Sequence, residues 1–430
     1  MWIMKNYLRL MTLVCGAWLS ISHAAEVLPL QNSTVLTAPT VKMVGTTTLG
    51  SDVDGLLRYA REHNPSLAAA RFDVEAATRR AEPSAALADP VLRIEPMDVT
   101  RGGGTRYLLM QSVPWSGKRG LQREVSEAKM AQADGQMAAT WTDLANRIKQ
   151  TYAMYHYTAA SERLTQQTLD LLDNMEQIAQ TRYANGLATQ QDVIQVQVEK
   201  TMLRGELIAL QNEHHHSHAR LNALLSRPTS APLAEPEQLR NMPSPASLDE
   251  AALLEQLRTR NPQLRIAEAD IQSAEKSREL SYAKRYPDFT LGVAPTQSGN
   301  TIKQWDLMLE LNIPLQQSAR RSQEGETEAM LSASTARKQA LLDQMQAELS
   351  EALSALESAR RTETLITTRL LPQAELTYQS ALAGYETGKV SFGMLIEAQK
   401  QILKAKQQHL QAQTDMQLRL ADIEKSLGEE

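Results

Sequence analysis

The chain predicts a mainly helical fold with a small β part, built from two copies of one unit, and three observations predict it. The first is internal repetition. Asn64-Pro65 recurs as Asn261-Pro262 and Pro90 as Pro287 at an offset of 197, Pro114 recurs as Pro314 at 200, and Tyr183…Gly186 recurs as Tyr385…Gly388 at 202. An offset that drifts only where loops intervene marks a duplication. The second is a change of period: from Trp305 to Ile313 every second residue is apolar, the pattern of a strand with one oily and one wet face. The third is the long stretches of Ala, Gln, Glu, Leu, Arg and Lys, in a chain of 430 residues of which only 4% are aromatic. That mixture suits extended helices packed through narrow seams.

Residues 1–24 read as a secretory signal peptide. Lys5 and Arg9 flank the start of an apolar run from Leu10 to Ile21, and Ser22-His23-Ala24 supplies small residues for cleavage before Ala25. The single cysteine, Cys15, lies inside it, so the mature chain has no thiol chemistry; acylation there would want a small residue where Val14 stands. Beyond the signal no stretch approaches the roughly 18 apolar residues of a membrane helix. The mature protein is then either soluble or crosses a membrane as β-structure.

Residues 25–50 are Thr-, Val- and Pro-rich without periodicity and predict an extended segment. The first repeat, 51–227, opens with Ser51 or Asp52 capping a helix that breaks at Asn64-Pro65, because the residue before proline resists the α region. A second helix runs to about Leu87. A β-hairpin follows over about 90–114, where Leu92 and Ile94 alternate with Arg93 and Glu95, although Arg106 to Val113 is less cleanly patterned. Tyr107, Trp115, Tyr286 and Trp305 sit near strand ends, as in an interfacial belt or in an ordinary soluble sheet. The helical hairpin, 118–226, begins with a helix to about Tyr183, roughly 100 Å long at 1.5 Å per residue. Leu144, Ile148, Thr151 and Tyr155, then Leu164, Thr168, Leu171, Met175 and Ile178, keep the 4-3 spacing of a coiled-coil seam.

Residues 228–247 form a Pro-rich linker. The second repeat, 248–430, has a β-hairpin over about 287–314 and a helical hairpin over 319–428. Its returning helix carries Leu395, Ile402, His409, Met416 and Ile423 at every seventh position, which implies left-handed supercoiling. Pro372 should kink the outgoing helix without ending it.

Four strands cannot close a barrel, which needs about eight, and open strand edges cannot face lipid. If these hairpins cross a membrane, other copies must complete them. Three protomers would give a twelve-stranded barrel and gather the helical hairpins into an α-barrel. A net charge of −5 without a basic stripe leaves nucleic acid no footprint. There is no nucleophile elbow, phosphate loop or metal triad, so an enzyme is not expected.

Over essentially the whole mature sequence, the duplication, the Asn-Pro after each first helix, the proline closing each strand pair and the Tyr-x-x-Gly turns resemble the TolC family of outer-membrane efflux channels. The segments "NPSLAAARFDVEAA" and "QSVPWSGKRG" resemble its heavy-metal, CzcC-like branch. The resemblance implies a homotrimer in the cell outer membrane with a large periplasmic portion, working with a periplasmic membrane-fusion adaptor and an inner-membrane RND-type pump. It implies no cofactor. It puts the adaptor-docking tip at Tyr183, Gly186, Tyr385 and Gly388 and gate acids at Asp192 and Glu397, with Met394 where a further acid would stand. Solvated helix-start acids and plain turn packing are the alternatives. His214 and His218, i and i+4 on one helix face, could share a metal ion or be seam residues. Metal cations are the expected cargo; drugs and secreted proteins are the rivals, and a secreted coiled-coil scaffold is the reading from another class.

Overall fold

The computed structural model describes residues 49–97, 104–236 and 238–429. The predicted signal peptide, Cys15, all but the last two residues of the 25–50 segment and the turn of the first hairpin lie outside them. In chain order the elements are α1 (Val53–His63), α2 (Pro65–Ala81), β1 (Val91–Pro96), β2 (Thr105–Val113), α3 (Lys118–Ala184) and α4 (Gln190–Leu224). The second repeat follows with α5 (Glu250–Arg260), α6 (Pro262–Ala283), β3 (Asp288–Ser298), β4 (Thr301–Asn312), α7 (Gln317–Leu365), α8 (Leu371–Glu386) and α9 (Phe392–Leu427). A single turn of 3₁₀ helix, Pro245–Ser247, sits in the linker.

The Asn-Pro pair does the same work in both copies. Asn64 Oδ1 accepts from the amides of Ser66 at 2.9 Å and Leu67 at 3.3 Å, while its Nδ2 donates to the Leu224 carbonyl at 2.9 Å. Asn261 Oδ1 accepts from Gln263 at 2.8 Å and Leu264 at 3.3 Å, and its Nδ2 donates to the Ser426 carbonyl at 2.8 Å. Only a carboxamide, half acceptor and half donor, can cap the following helix and also hold the end of the returning one. Both returning helices stop in a left-handed residue, Ser226 at φ 57° and Gly428 at φ 71°. The amides of Arg227 and Glu429 then reach back to the Asn222 and Glu424 carbonyls, both at 2.9 Å, closing a Schellman motif in each repeat.

Three helical cores follow from the seams. Leu56, Ile148, Tyr152, Leu221 and Leu225 fill that of the first repeat, and Leu257, Leu349, Leu356 and Ile423 fill that of the second. The third joins the repeats at the far end of the hairpins, where Leu172 and Val196 meet Tyr385, Phe392 and Leu395. The linker is strapped down: Tyr152 Oη donates to the Gln238 carbonyl at 3.1 Å, and Arg240 binds both Glu424 oxygens at 3.0 and 2.8 Å. The buried Lys149 adds a third contact to that carboxylate at 2.9 Å, tying α3 to α9.

Some boundaries differ from expectation. The second helix ends at Ala81 instead of near Leu87, because Pro83 has no N–H to continue the ladder, and turns complete the segment. Pro372 does not act alone: Ile366–Leu370 is a π turn in which the Leu371 amide reaches back to the Ile366 carbonyl. It absorbs one extra residue, so Ile148 and Leu349 stand 201 apart before it and Tyr183 and Tyr385 stand 202 apart after it. The expected seam residue Ile178 is 53% exposed and Ala179 is buried in its place, since a helix of 3.6 residues per turn drifts off a strict 4-3 stripe.

Candidate functional site

Both hairpins build one antiparallel sheet in the order β1-β2-β3-β4. Register makes its faces explicit. Leu92 pairs with Leu109, Leu109 with Val293 and Val293 with Leu307, so one apolar row crosses all four strands. A neighbouring row carries Gln111, Leu291 and Leu309. Leu307 is 87% exposed, Trp305 66% and Leu309 62%. An apolar face this continuous and this bare belongs against lipid or another protein.

The opposite face carries the charges. Arg106 lies 3.5 Å from Asp306 and 3.9 Å from Glu95, and Arg93 lies 3.9 Å from Glu95. Beside them Leu108, Met110 and Ala294 form a small buried patch. This explains the poor pattern of β2, which puts Tyr107 and Leu109 on the bare face and Leu108 and Met110 on the other, so both of its faces are apolar. The sheet is thus apolar on one face and carries its charges on the other, with strands β1 and β4 at its two edges. The Trp115 amide and Lys118 Nζ both bind Asp288 Oδ1, at 2.8 and 2.7 Å, fastening the start of α3 to β3. Trp115 also stacks on Tyr286, centroids 5.3 Å apart.

At the far end the equivalent tyrosines diverge. Gly186 and Gly388 adopt φ 69° and 73°, the left-handed turn that their position requires. Tyr183 is 49% exposed, whereas Tyr385 is buried, against Phe392 at 5.1 Å and under the Arg182 guanidinium at 4.6 Å. Burial holds the Tyr385 hydroxyl above its ordinary range, with Arg182 opposing the shift. Arg182 and Phe392 were not picked out by spacing; the signal was Arg182 one residue before the Tyr-x-x-Gly turn. Asp192 is half of a capping box: its carboxylate accepts from the Thr189 amide at 3.1 Å and its amide donates to Thr189 Oγ1 at 3.3 Å. Glu397 and Met394 are exposed on the first turns of α9.

The tip hairpins are held by paired charges. Lys200 Nζ meets Glu176 at 2.5 Å and also Asp173, and Gln197 donates to Glu176 at 2.9 Å. The hydrogen bond from Lys200 holds the Glu176 carboxyl below its ordinary range. Glu199 crosses between the repeats to Lys400 at 2.7 Å. His214 Nδ1 faces Glu162 Oε2 at 3.0 Å, and both His214 and His218 lie against the Tyr155 ring, at 5.0 and 5.9 Å. Burial lowers the affinity of His218 for a proton. Among the described residues no three His, Cys, Asp or Glu side chains are grouped to hold a metal ion, and no helix is long and apolar enough to cross a membrane.

Residues 253–429 match the outer membrane efflux protein family. Over 320 residues the chain is 22% identical to the pyoverdine export outer membrane protein OpmQ of Pseudomonas aeruginosa, covering 73% of this chain and 66% of that protein, just under two thirds of its length. Among solved structures, CusC aligns with a TM-score of 0.77 at 17% identity, covering 88% of this chain and 92% of that one. The outer membrane protein VceC of Vibrio cholerae aligns with a TM-score of 0.75 at 16% identity, covering 88% and 96%. A membrane protein from Pseudomonas aeruginosa gives 0.77 at 19% identity, covering 89% and 91%. Residues 253–429 thus resemble outer membrane efflux proteins in sequence, and the chain shares its fold with CusC and VceC over 88% of its length.

Proposed function

We propose that this chain is the outer-membrane channel of a tripartite efflux system. Three copies, each adding β4 to the next one's β1, close a twelve-stranded barrel that neither edge could tolerate alone in lipid. The up-down order β1-β2-β3-β4 makes that junction antiparallel as well, and a head-to-tail contact that closes by rotation gives a ring. The observation that carries the reading is the inverted sheet, apolar on its bare face and charged on the other. The helical hairpins extend the conduit by about 100 Å toward a periplasmic adaptor and an inner-membrane pump. The exposed Tyr183 and the turns at Gly186 and Gly388 are the docking tip, with Asp192 and Glu397 near its opening.

Heavy-metal cations are the proposed cargo, on the strength of the two branch-like segments; a threefold ring of Glu397 would favour cations at a constriction. Weak metal contact at His214 and His218 belongs to the same proposal, although Glu162 and Tyr155 already occupy those rings. The relative named for pyoverdine export favours a second reading, an organic cargo. A strain lacking the protein, with re-expression as control, is scored against copper, silver, zinc, cadmium, cobalt and nickel salts beside dyes and antibiotics. Selective loss of tolerance to one or two metals supports metal export. Sensitivity confined to organic compounds replaces it with the second reading, and recovery of a detergent-free monomer overturns the channel itself.

A further inference from the structure

We propose that the free flank of α7 is a docking surface for a second copy of this chain, held by an ion pair from Glu351 to Arg220 of the partner subunit and by Phe72 of the partner subunit packing over small residues of α7. The inference rests on the trimeric channel reading and adds to it a helical contact that the sheet edges do not supply.

The duplication provides the template. Each Asn-Pro clamp sets the start of a short helix against the end of a returning one, α2 on α4 and α6 on α9. The second of these columns has a long helix on both flanks. On one, α3 gives Asp134 to Arg265 at 3.1 Å, Glu124 to Lys276 at 3.0 Å and Lys149 to Glu424 at 2.9 Å. On the other, Leu349 and Leu356 of α7 pack with Met416 and Ile423. The first column has α3, through Leu67, Ile148 and Leu221. Among the described residues no second long helix packs against α2 or the last turns of α4. A ring closed by rotation repeats one pair of unlike surfaces at every junction, and the open place then falls to α7 of the neighbour.

The seam within the chain names the residues. There Gln150 Nε2 donates to Asp422 Oδ1 at 2.7 Å, from α3 to α9. At the offsets of 201 in the long helices and 202 in the returning ones, the same two places on α7 and α4 hold Glu351 and Arg220. Both are exposed, and neither has an ion pair or side-chain hydrogen bond among the described residues. Arg419 and Lys425 share a cleft with Glu351, but Asp422 engages the first at 3.4 Å and Asp143 the second at 2.9 Å. An amide facing an acid has become an acid facing a base, each without its complement inside one chain. A guanidinium outreaches the aspartate whose place it takes, and its fork matches a carboxylate.

Size is exchanged in the same way nearer the sheet. Ala269 is 4% exposed and borders a cleft with Ala131 and Asp134 of α3. Its counterpart at the offset of 197, Phe72, is 69% exposed. The counterparts of Ala131, Asp134 and Gly135 are Ser332, Thr335 and Ala336, all exposed on α7. Within the chain Ile266 packs so closely on Gly135 that a Cβ there would stand 2.8 Å from it. Ile266 has Ala69 as its counterpart, so the bulk moves one turn along, to Phe72, and burying that ring against α7 removes a large apolar surface from water.

The test uses the full exported chain in detergent, with trimer and monomer distinguished by light scattering and the dissociation temperature read on native gels. Arg220→Glu and Glu351→Arg should each lower that temperature, because all three junctions become repulsive, and the double variant should recover at least about half of the loss. The single cysteine of the chain, Cys15, lies in the predicted signal peptide. Phe72→Cys combined with Ser332→Cys should therefore join different protomers under a short bismaleimide, giving dimer and trimer bands that neither single variant gives. A wild-type chain that is monomeric in detergent overturns the trimer reading, and this interface with it. A stable trimer whose charge exchange recovers nothing, or whose cysteine pair links only within one chain, leaves the trimer standing and overturns the interface.

Discussion

Replacing Asn261 tests whether the repeated Asn-Pro pair is a two-way clamp or merely a helix start. In Asn261→Ala the amides of Gln263 and Leu264 lose their cap, a loss of about 1 kcal/mol. The Ser426 carbonyl, now 2.8 Å from the Asn261 Nδ2, is left without its donor in a site where Asn261 is 3% exposed. A buried carbonyl without its partner costs about 1–3 kcal/mol. The total is about 2–4 kcal/mol. Asn261→Asp separates the two parts: a carboxylate still caps α6 but turns an oxygen toward the Ser426 carbonyl. Thermal unfolding in detergent, at one scan rate and protein concentration, should therefore rank wild type above both variants. Asn64→Asp should behave alike, through the Leu224 carbonyl. If Asn261→Asp unfolds with the wild type, the clamp argument is wrong and the residue is a cap alone.

Gly428→Ala should destabilise by at least about 1–2 kcal/mol, since φ is 71° and a Cβ would stand 2.8 Å from the Arg260 carbonyl oxygen; Ser226→Gly, at φ 57°, should gain up to about 1 kcal/mol, both read as unfolding midpoints. Glu424→Ala strands Lys149 and Arg240 beside one another and should cost about 3–5 kcal/mol, with Glu424→Gln costing less. The carboxyl of Glu176 is held below its ordinary value by Lys200, so its contribution is present above the usual carboxylate range, near about pH 4.3, and is lost as pH falls through the depressed value. Unfolding midpoints of the wild type should therefore drop more steeply on acidification than those of Lys200→Met; parallel curves would refute the assignment.

Much of this architecture was readable in one dimension. The duplication, both elbows, both hairpins and the long helices follow from local rules: proline breaks the ladder, asparagine caps, alternation of two makes a strand and a stripe of seven makes a seam. Such rules act over a few residues, so a single chain displays them. Boundaries shifted only where neighbours competed, at Pro83 and at the π turn before Pro372. The poor pattern of β2 had a cause that the alternation rule cannot see, because Leu108 and Met110 are covered by Ala294 and Met308 from strands far away in sequence.

What the sequence by itself determined is the periodicity and the places where it stops, and with them the helices, the strands and their twofold repetition. Only the tertiary structure decided how equivalent residues diverged. Tyr183 and Tyr385 hold matching places in matching turns, yet one is exposed and the other lies under Arg182 from the neighbouring hairpin. His214 and His218, spaced as a ligand pair or as seam residues, both lie against Tyr155, and His214 Nδ1 faces Glu162, more than fifty residues earlier. The physical reason is common to both: hydrogen bonds and packing between segments distant in the chain are formed by the fold, and no spacing within one segment encodes them.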